Sequence, residues 1–112
     1  MSDFEVNITS HVPEIKEELS RRIPVILEAL GIEAEGNAVD EITRLEAVDT
    51  GRLRGSISHA TDGEEKAYVG TNVEYAPYVE YGTIHMAARP FLRNSIQNYV
   101  DDYKRIIEEG LK

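Results

Sequence analysis

Three histidines are the residues of this chain best suited to bind a metal ion or to transfer a proton. His11, His59 and His85 lie far apart in the sequence, and none has a partner ligand at the close spacing of helical or finger-type zinc sites. The chain has no cysteine, so thiolate metal sites, thiol nucleophiles and disulfides are excluded. We therefore expect no metal and no cofactor, and we interpret the histidines as surface or strand residues.

A second group, Glu80 and His85 together with Asp49 or Ser56, has side chains suited to acid–base or nucleophilic chemistry. Their spacing matches no nucleophile elbow, no paired-carboxylate motif and no phosphate-binding glycine loop. We therefore predict that the chain is not an enzyme. A hydrolase or nuclease that uses Glu80 and His85 is the less favoured alternative.

The composition is that of one small acidic domain, expected to span residues 1–112. The chain has 12 basic and 21 acidic side chains, a net charge of −9, and 41% hydrophobic residues. This charge opposes tight binding to nucleic acid, because phosphate contacts depend on lysine and arginine. No apolar run is long enough to span a bilayer, and the first residues lack the pattern of a signal peptide. We expect an intracellular domain.

A long N-terminal helix is predicted at residues 13–47, where apolar residues recur every three or four positions. The stripe consists of Ile15, Leu19, Ile23, Ile26, Leu30, Ala34, Ala38, Ile42 and Leu45. Pro24 removes one backbone N–H and is expected to kink the helix. Because the stripe stays in phase across the proline, we predict one kinked helix. Two helices that meet near residues 22–24 are the alternative.

A small antiparallel sheet is predicted to pack against this helix. Apolar and polar residues alternate near the N-terminus, which predicts an edge strand or a flexible arm over residues 1–9. A hairpin is predicted at about residues 53–70, because a second alternating segment precedes Asp62-Gly63, a dipeptide typical of tight turns.

Two further helices complete a fold of the α+β class. A short helix at about residues 74–81 has Pro77 near its start and Gly82 at its end. The segment that follows has no periodicity and is expected to be a loop. A C-terminal helix at about residues 90–109 is predicted to begin at Pro90.

Arginines and tyrosines are the side chains most suited to interactions in the C-terminal half. The concentrated basic residues are Arg52, Arg54, Arg89 and Arg93. We interpret them as partners of carboxylates such as Asp49, Glu74 and Glu80, within the chain or across an interface, because arginine forms bidentate carboxylate pairs. The tyrosine cluster consists of Tyr75, Tyr78 and Tyr81, with Tyr68 nearby. Tyrosine is enriched at interfaces, so this cluster favours packing against copies of the same chain.

Three segments occur in a characteristic order and spacing. They are residues 48–57 (VDTGRLRGSI), 69–83 (VGTNVEYAPYVEYGT) and 88–93 (ARPFLR). Together they resemble the gene-product-ten family of tailed phages, whose pattern is "vDTGrLrrSI", "vgt…YApyvEfGT" and "aRPFLrpA". The resemblance covers about residues 10–110, and it implies a long helix packed on a small antiparallel sheet with a closing C-terminal helix.

The resemblance implies a structural virion protein of the head–tail neck, made in the host cytoplasm. Copies of the chain would form a ring around the DNA channel. The portal or its adaptor would lie on one side of the ring, and the tail terminator or tail tube on the other. An acidic channel lining would let DNA pass without binding. A regulatory module that binds one protein partner is the alternative.

The resemblance also points to candidate subunit-interface or fold-motif residues. They are Asp49, Thr50, Gly51, Arg52, Arg54, Tyr75, Tyr78, Glu80, Tyr81, Gly82, Arg89 and Phe91. Residues 49–51 are expected to cap and end the long helix, with Arg52 and Arg54 at the start of the next strand. Phe91 is expected to be a buried anchor of the last helix.

Overall fold

A computed structural model of the chain describes residues 2–7, 17–45 and 50–112. Its longest element is helix α1 (Glu17–Arg44), which continues through Pro24. The alternative of two helices near residues 22–24 is therefore wrong. Buried residues of the predicted stripe lie on both sides of the proline, so packing against the rest of the domain outweighs the lost N–H. The predicted helix start near residue 13 lies outside the described residues.

Three antiparallel strands form one sheet. Strand β1 (Ser2–Asn7) pairs with β3 (Lys66–Thr71), and β2 (Ser58–Thr61) pairs with the other side of β3. The backbone at position 4 of β1 is opposite Val69, which is also opposite His59 of β2. The predicted N-terminal edge strand is thus confirmed.

The turn between β2 and β3 follows the predicted hairpin chemistry. The Asp62 Oδ1 atom accepts hydrogen bonds from the N–H groups of Glu64, Glu65 and Lys66, at 2.9, 3.0 and 3.0 Å. Gly63 has a φ of 75°, a conformation that glycine adopts without steric cost. The hairpin is confirmed, but its first strand is shorter than predicted.

Helix α2 (Thr50–Ser56) occupies the segment that was predicted to begin that strand. Leu53 and Ile57 are both buried, and their spacing of four residues fits a helix as well as the alternation of a strand. Gly55 between them has no side chain and could not distinguish the two patterns. The prediction that Arg52 and Arg54 begin a strand is therefore wrong, since both lie on α2.

The C-terminal region contains three helices, α3 (Ala76–Tyr81), α4 (Phe91–Gln97) and α5 (Val100–Gly110). The short helix α3 confirms the prediction for residues 74–81. The prediction of one helix at 90–109 is wrong, because the chain breaks at Asn98 and Tyr99 between α4 and α5. Tyr99 leaves the helical conformation with a φ of −126°, and its hydroxyl donates to Glu41 of α1 at 2.9 Å.

The hydrophobic core lies between α1, the sheet and the two C-terminal helices. Helix α1 packs against β2, β3, α4 and α5, whereas α3 packs on α4 and β1. The largest fully buried apolar side chains are Phe91, Leu27, Leu30, Ile42, Leu53 and Leu92. Within the described part of the chain, no helix is both long enough and apolar enough to cross a membrane.

Candidate interaction surface

Helix α3 and the turn after it expose three large side chains with apolar surface. Tyr78 is 60% exposed, Tyr81 65% and Ile84 94%. We call these three residues the α3–turn surface. An isoleucine with almost all of its surface in water forgoes the stabilisation of about 1.5–3 kcal/mol that burial of such a side chain gives. The feature points to a partner that covers it.

The turn that carries Ile84 is held by backbone hydrogen bonds. The Thr83 N–H donates to the Met86 carbonyl at 2.8 Å, and the Met86 N–H donates to the Thr83 carbonyl at 3.3 Å. The Thr83 hydroxyl accepts from the His85 N–H at 3.1 Å. Ile84 therefore projects from a closed turn of defined geometry.

Gly82 connects α3 to this turn and has a φ of 79°. A Cβ atom at this position would lie 2.7 Å from the Ala88 nitrogen and 2.8 Å from the Met86 carbonyl oxygen. Both neighbours are backbone atoms that cannot rotate away, so the position requires glycine. The Arg89 N–H also donates to the Val79 carbonyl at 2.7 Å, which fixes the loop against α3.

Glu80 lies on the opposite, buried side of α3. Its carboxylate accepts hydrogen bonds from the N–H groups of Leu92 and Arg93, at 2.9 and 3.1 Å. These groups belong to the first turn of α4, where N–H groups have no partner within the helix. Burial raises the pKa of Glu80, while the two backbone N–H groups act in the opposite direction.

Glu80 thus holds α4 in place rather than facing solvent with His85, which lies on the exposed turn. Its predicted pairing with an arginine side chain is replaced by these backbone contacts. Phe91, at the start of α4, is fully buried beside it. The geometry gives Glu80 and Phe91 structural roles behind the α3–turn surface.

Arg52 of α2 connects this region to the rest of the molecule. Its guanidinium donates to Glu74 at 2.9 Å and lies 5.4 Å from the centre of the Tyr75 ring. Both partners of the ion pair are largely exposed to water, so the pair contributes little to stability. Arg54 donates to the Thr43 hydroxyl of α1 at 3.2 Å.

The remaining candidates at the start of α2 are not part of the surface. Thr50 and Gly51 lie in the first turn of α2, so the prediction that they end the long helix is wrong; α1 ends at Arg44. Asp49 lies outside the described residues. Among the described residues, no atom lies within 4 Å of a Cβ built on Gly51, so none of them makes a close contact that requires glycine there.

The sequence comparison identifies the family. The model of a family described as "Bacteriophage HK97-gp10, putative tail-component" matches residues 7–82, more than half of the chain. The chain belongs to the HK97-gp10-like family. Members of this family are described as phage tail components, which are structural parts of the virion. The matched residues include α1, the hairpin and α3, whereas the segment at 88–93 lies beyond them.

A curated relative of this HK97-gp10-like chain comes from a bacterium. The uncharacterized protein YqbI of Bacillus subtilis (strain 168) is 40% identical over 72 residues. The match covers 57% of this chain and 43% of the relative, so the chain spans less than half the length of the relative that it matches. No solved structure matches the chain.

Glu41 is an important polar residue of the family-matched region that sequence reasoning missed. It is buried, and it accepts hydrogen bonds from Arg44, from Asn94 of α4 at 3.2 Å and from the Tyr99 hydroxyl at 2.9 Å. The Arg44 guanidinium lowers the pKa of Glu41, against the effect of burial. Burial, followed by the Glu41 carboxylate, raises the pKa of Tyr99 to about 12. Glu41 therefore joins α1 to α4 and to the break between α4 and α5.

His59 is a second such residue. Its Nδ1 atom lies 2.8 Å from a Glu35 oxygen and its Nε2 atom lies 2.7 Å from a Glu28 oxygen. Hydrogen bonds with Glu35 and then Glu28 raise the pKa of His59. The imidazole lies over Gly31, where a Cβ would overlap it. In the sequence, the feature that could have indicated this contact is Gly31, which lies between Glu28 and Glu35 on the predicted helix.

The described residues contain no group of three or more His, Asp or Glu side chains that could hold a metal ion. Among them, every buried side-chain nitrogen or oxygen also has a hydrogen-bond partner. The polar groups of the described core are therefore occupied by structural contacts.

Proposed function

We propose that the chain is a structural protein of the head–tail neck of a tailed phage, where copies of it form a ring around the DNA channel. The observation that carries this proposal is the α3–turn surface, which presents three exposed side chains on a hydrogen-bonded turn. Membership of a family of phage tail components supports it. The proposed neighbours are the portal or its adaptor on one side and the tail terminator or tail tube on the other.

A rigid framework behind an exposed apolar surface suits an assembly protein. Glu80 fixes α4 beneath α3, and Gly82 with the Thr83–Met86 pairing fixes the turn that carries Ile84. A surface that is preformed loses less conformational entropy when it binds. We therefore infer that the chain acts by binding other virion proteins, without chemistry of its own.

The net charge of −9 per copy supports the proposed position around DNA. A ring multiplies this charge by its number of copies, and phosphates are repelled by a surface rich in carboxylates. DNA would then pass through the ring without being held.

The test is the composition and morphology of phage particles. We expect mass spectrometry to find the chain in purified virions. Deletion of its gene should leave DNA-filled heads and tails that are not joined, visible by negative-stain electron microscopy. Supplying the intact gene in trans should restore joined particles. Normal infectious particles without the chain would overturn the proposal.

A further inference from the structure

A second exposed apolar surface lies on α1. Val25 is 70% exposed and Ile32 is 58% exposed. With the half-buried Ala29 and the exposed Gly36, they are spaced four, three and four residues apart, so they follow one line along the helix. We call these four residues the α1 seam. At a rise of 1.5 Å per residue the seam is about 16 Å long.

Acidic side chains flank the α1 seam along most of its length, whereas Arg21 and Arg22 lie beside Val25 at its N-terminal end. Glu28 and Glu35 flank it on the side of β2, where both contact His59, and Glu33 and Asp40 are on its other side by helical spacing. Between residues 23 and 43 the sequence contains no lysine or arginine. The seam is therefore an apolar line between two rows of carboxylates.

The charged side chains of the segment that carries the α3–turn surface are mostly basic. Between residues 75 and 100 the only acid is Glu80, and it is buried. Apart from the tyrosines, the other ionisable side chains of this segment are His85, Arg89 and Arg93. The sequence that follows the α3–turn surface is therefore mainly basic, whereas the exposed Glu74, which pairs with Arg52, precedes it.

We propose that the α3–turn surface of one copy binds the α1 seam of the next copy. Both surfaces are exposed in the single chain, so they do not cover each other within it. Pairing the two would bury Ile84 against Val25 and Ile32 and would bring arginines to carboxylates. This inference rests on the proposed function, because it specifies the contact between copies in the ring.

The predominant charges favour this pairing over the two symmetric ones. Two α1 seams facing each other would bring together eight carboxylates, four from each copy. Two α3–turn surfaces facing each other would bring together mostly basic side chains. Like charges across an interface disfavour both arrangements. A contact between two different surfaces of the same chain is heterologous, and it closes into a ring when the rotation between copies allows.

Cysteine cross-linking tests the contact directly, since the chain has no cysteine of its own. Ile84→Cys and Ile32→Cys are purified separately, mixed, oxidised and analysed by mass spectrometry. We expect a disulfide between position 84 of one copy and position 32 of another in the mixture, and little cross-linking in either variant alone. Efficient cross-linking of each variant alone, or none in the mixture, would overturn the proposal.

Self-association gives a second measurement. We expect Ile84→Asp and Ile32→Asp each to weaken it by about tenfold or more, since each removes a buried isoleucine and adds a charge. Val100→Asp, an exposed apolar residue outside both surfaces, is the matched control and should have little effect. Analytical ultracentrifugation, with circular dichroism to verify folding, measures this at low and high salt. High salt should weaken association of the unmodified chain.

A chain that is monomeric at every concentration would overturn this contact. That result would leave the proposed function standing, because the presence of the chain in virions is measured independently. Conversely, normal particles after gene deletion would overturn the proposed function even if the cross-link formed in solution.

Discussion

His59 shows how a single residue joins two elements of this fold. It lies on the short strand β2, and both of its ring nitrogens reach carboxylates of α1. A neutral imidazole can donate only one of these hydrogen bonds, whereas the protonated ring donates both. The contact between β2 and α1 therefore depends on the charge of one side chain.

The contribution of His59 to stability should depend on pH. The glutamates raise its pKa above the ordinary value of 6.5 in the folded chain. The added stability is thus fully present below the unfolded pKa and is lost as the pH rises through the higher folded pKa. Because both carboxylates are partly exposed, we expect His59 to add about 1 kcal/mol to the free energy of unfolding at acidic pH.

The measurement is the difference in free energy of unfolding between the unmodified chain and His59→Gln, by urea titration from acidic to alkaline pH. We expect this difference to decrease as the pH rises. The exposed turn residue provides the control, since His85→Gln should give a small difference. A His59→Gln difference that stays constant with pH would contradict the assignment.

At the scale of elements, the joint between α3 and its turn depends on Gly82. Alanine there would have an unfavourable φ and a Cβ in contact with two backbone atoms. We expect Gly82→Ala to lower the free energy of unfolding by about 1–3 kcal/mol. Gly36→Ala is the matched control. Gly36 lies in α1, and no described atom lies within 4 Å of its Cβ position. This substitution should therefore raise the free energy of unfolding by up to about 1 kcal/mol. Thermal denaturation measures the change in melting temperature for both variants. Equal changes would contradict the requirement for glycine at position 82.

Local sequence patterns predicted α1, α3 and the hairpin turn well. Helix α1 has an apolar residue every three or four positions, α3 lies between Pro77 and Gly82, and the turn contains the dipeptide Asp62-Gly63. The segment around Leu53 and Ile57 was predicted wrongly, because its two apolar residues fit a strand and a helix equally. In the C-terminal segment, Ile96, Tyr99 and Tyr103 recur every three or four positions, a pattern that favoured one continuous helix. The break there depends on Glu41, which is distant in sequence, so no local pattern could indicate it.

The same limit applies to the interaction surface. The spacing of the tyrosines and the glycine after them indicated a helix with side chains suited to an interface. Ile84 was missed, because one apolar residue in an aperiodic segment has no pattern around it. Its exposure follows from the pairing of Thr83 with Met86, which is a property of the folded turn.

At the scale of the whole molecule, the net charge of −9 and the mainly basic segment that carries the α3–turn surface make opposite predictions about DNA. Binding of phosphates needs several lysines or arginines together. The basic side chains that follow that surface in the sequence are His85, Arg89 and Arg93, within a chain whose acids outnumber its bases by nine. We expect the overall charge to dominate and these arginines to bind carboxylates of another copy instead.

A titration of duplex DNA with the purified chain in a gel-shift assay at low salt tests this balance. We expect no retardation at concentrations where a basic DNA-binding protein, run as the positive control, retards all of the DNA. Arg93→Glu should then weaken self-association without changing the result with DNA. If the chain did retard DNA and Arg93→Glu abolished the retardation, the α3–turn surface would be a phosphate-binding site. Both the passage of DNA without binding and the proposed contact with the α1 seam would then be wrong.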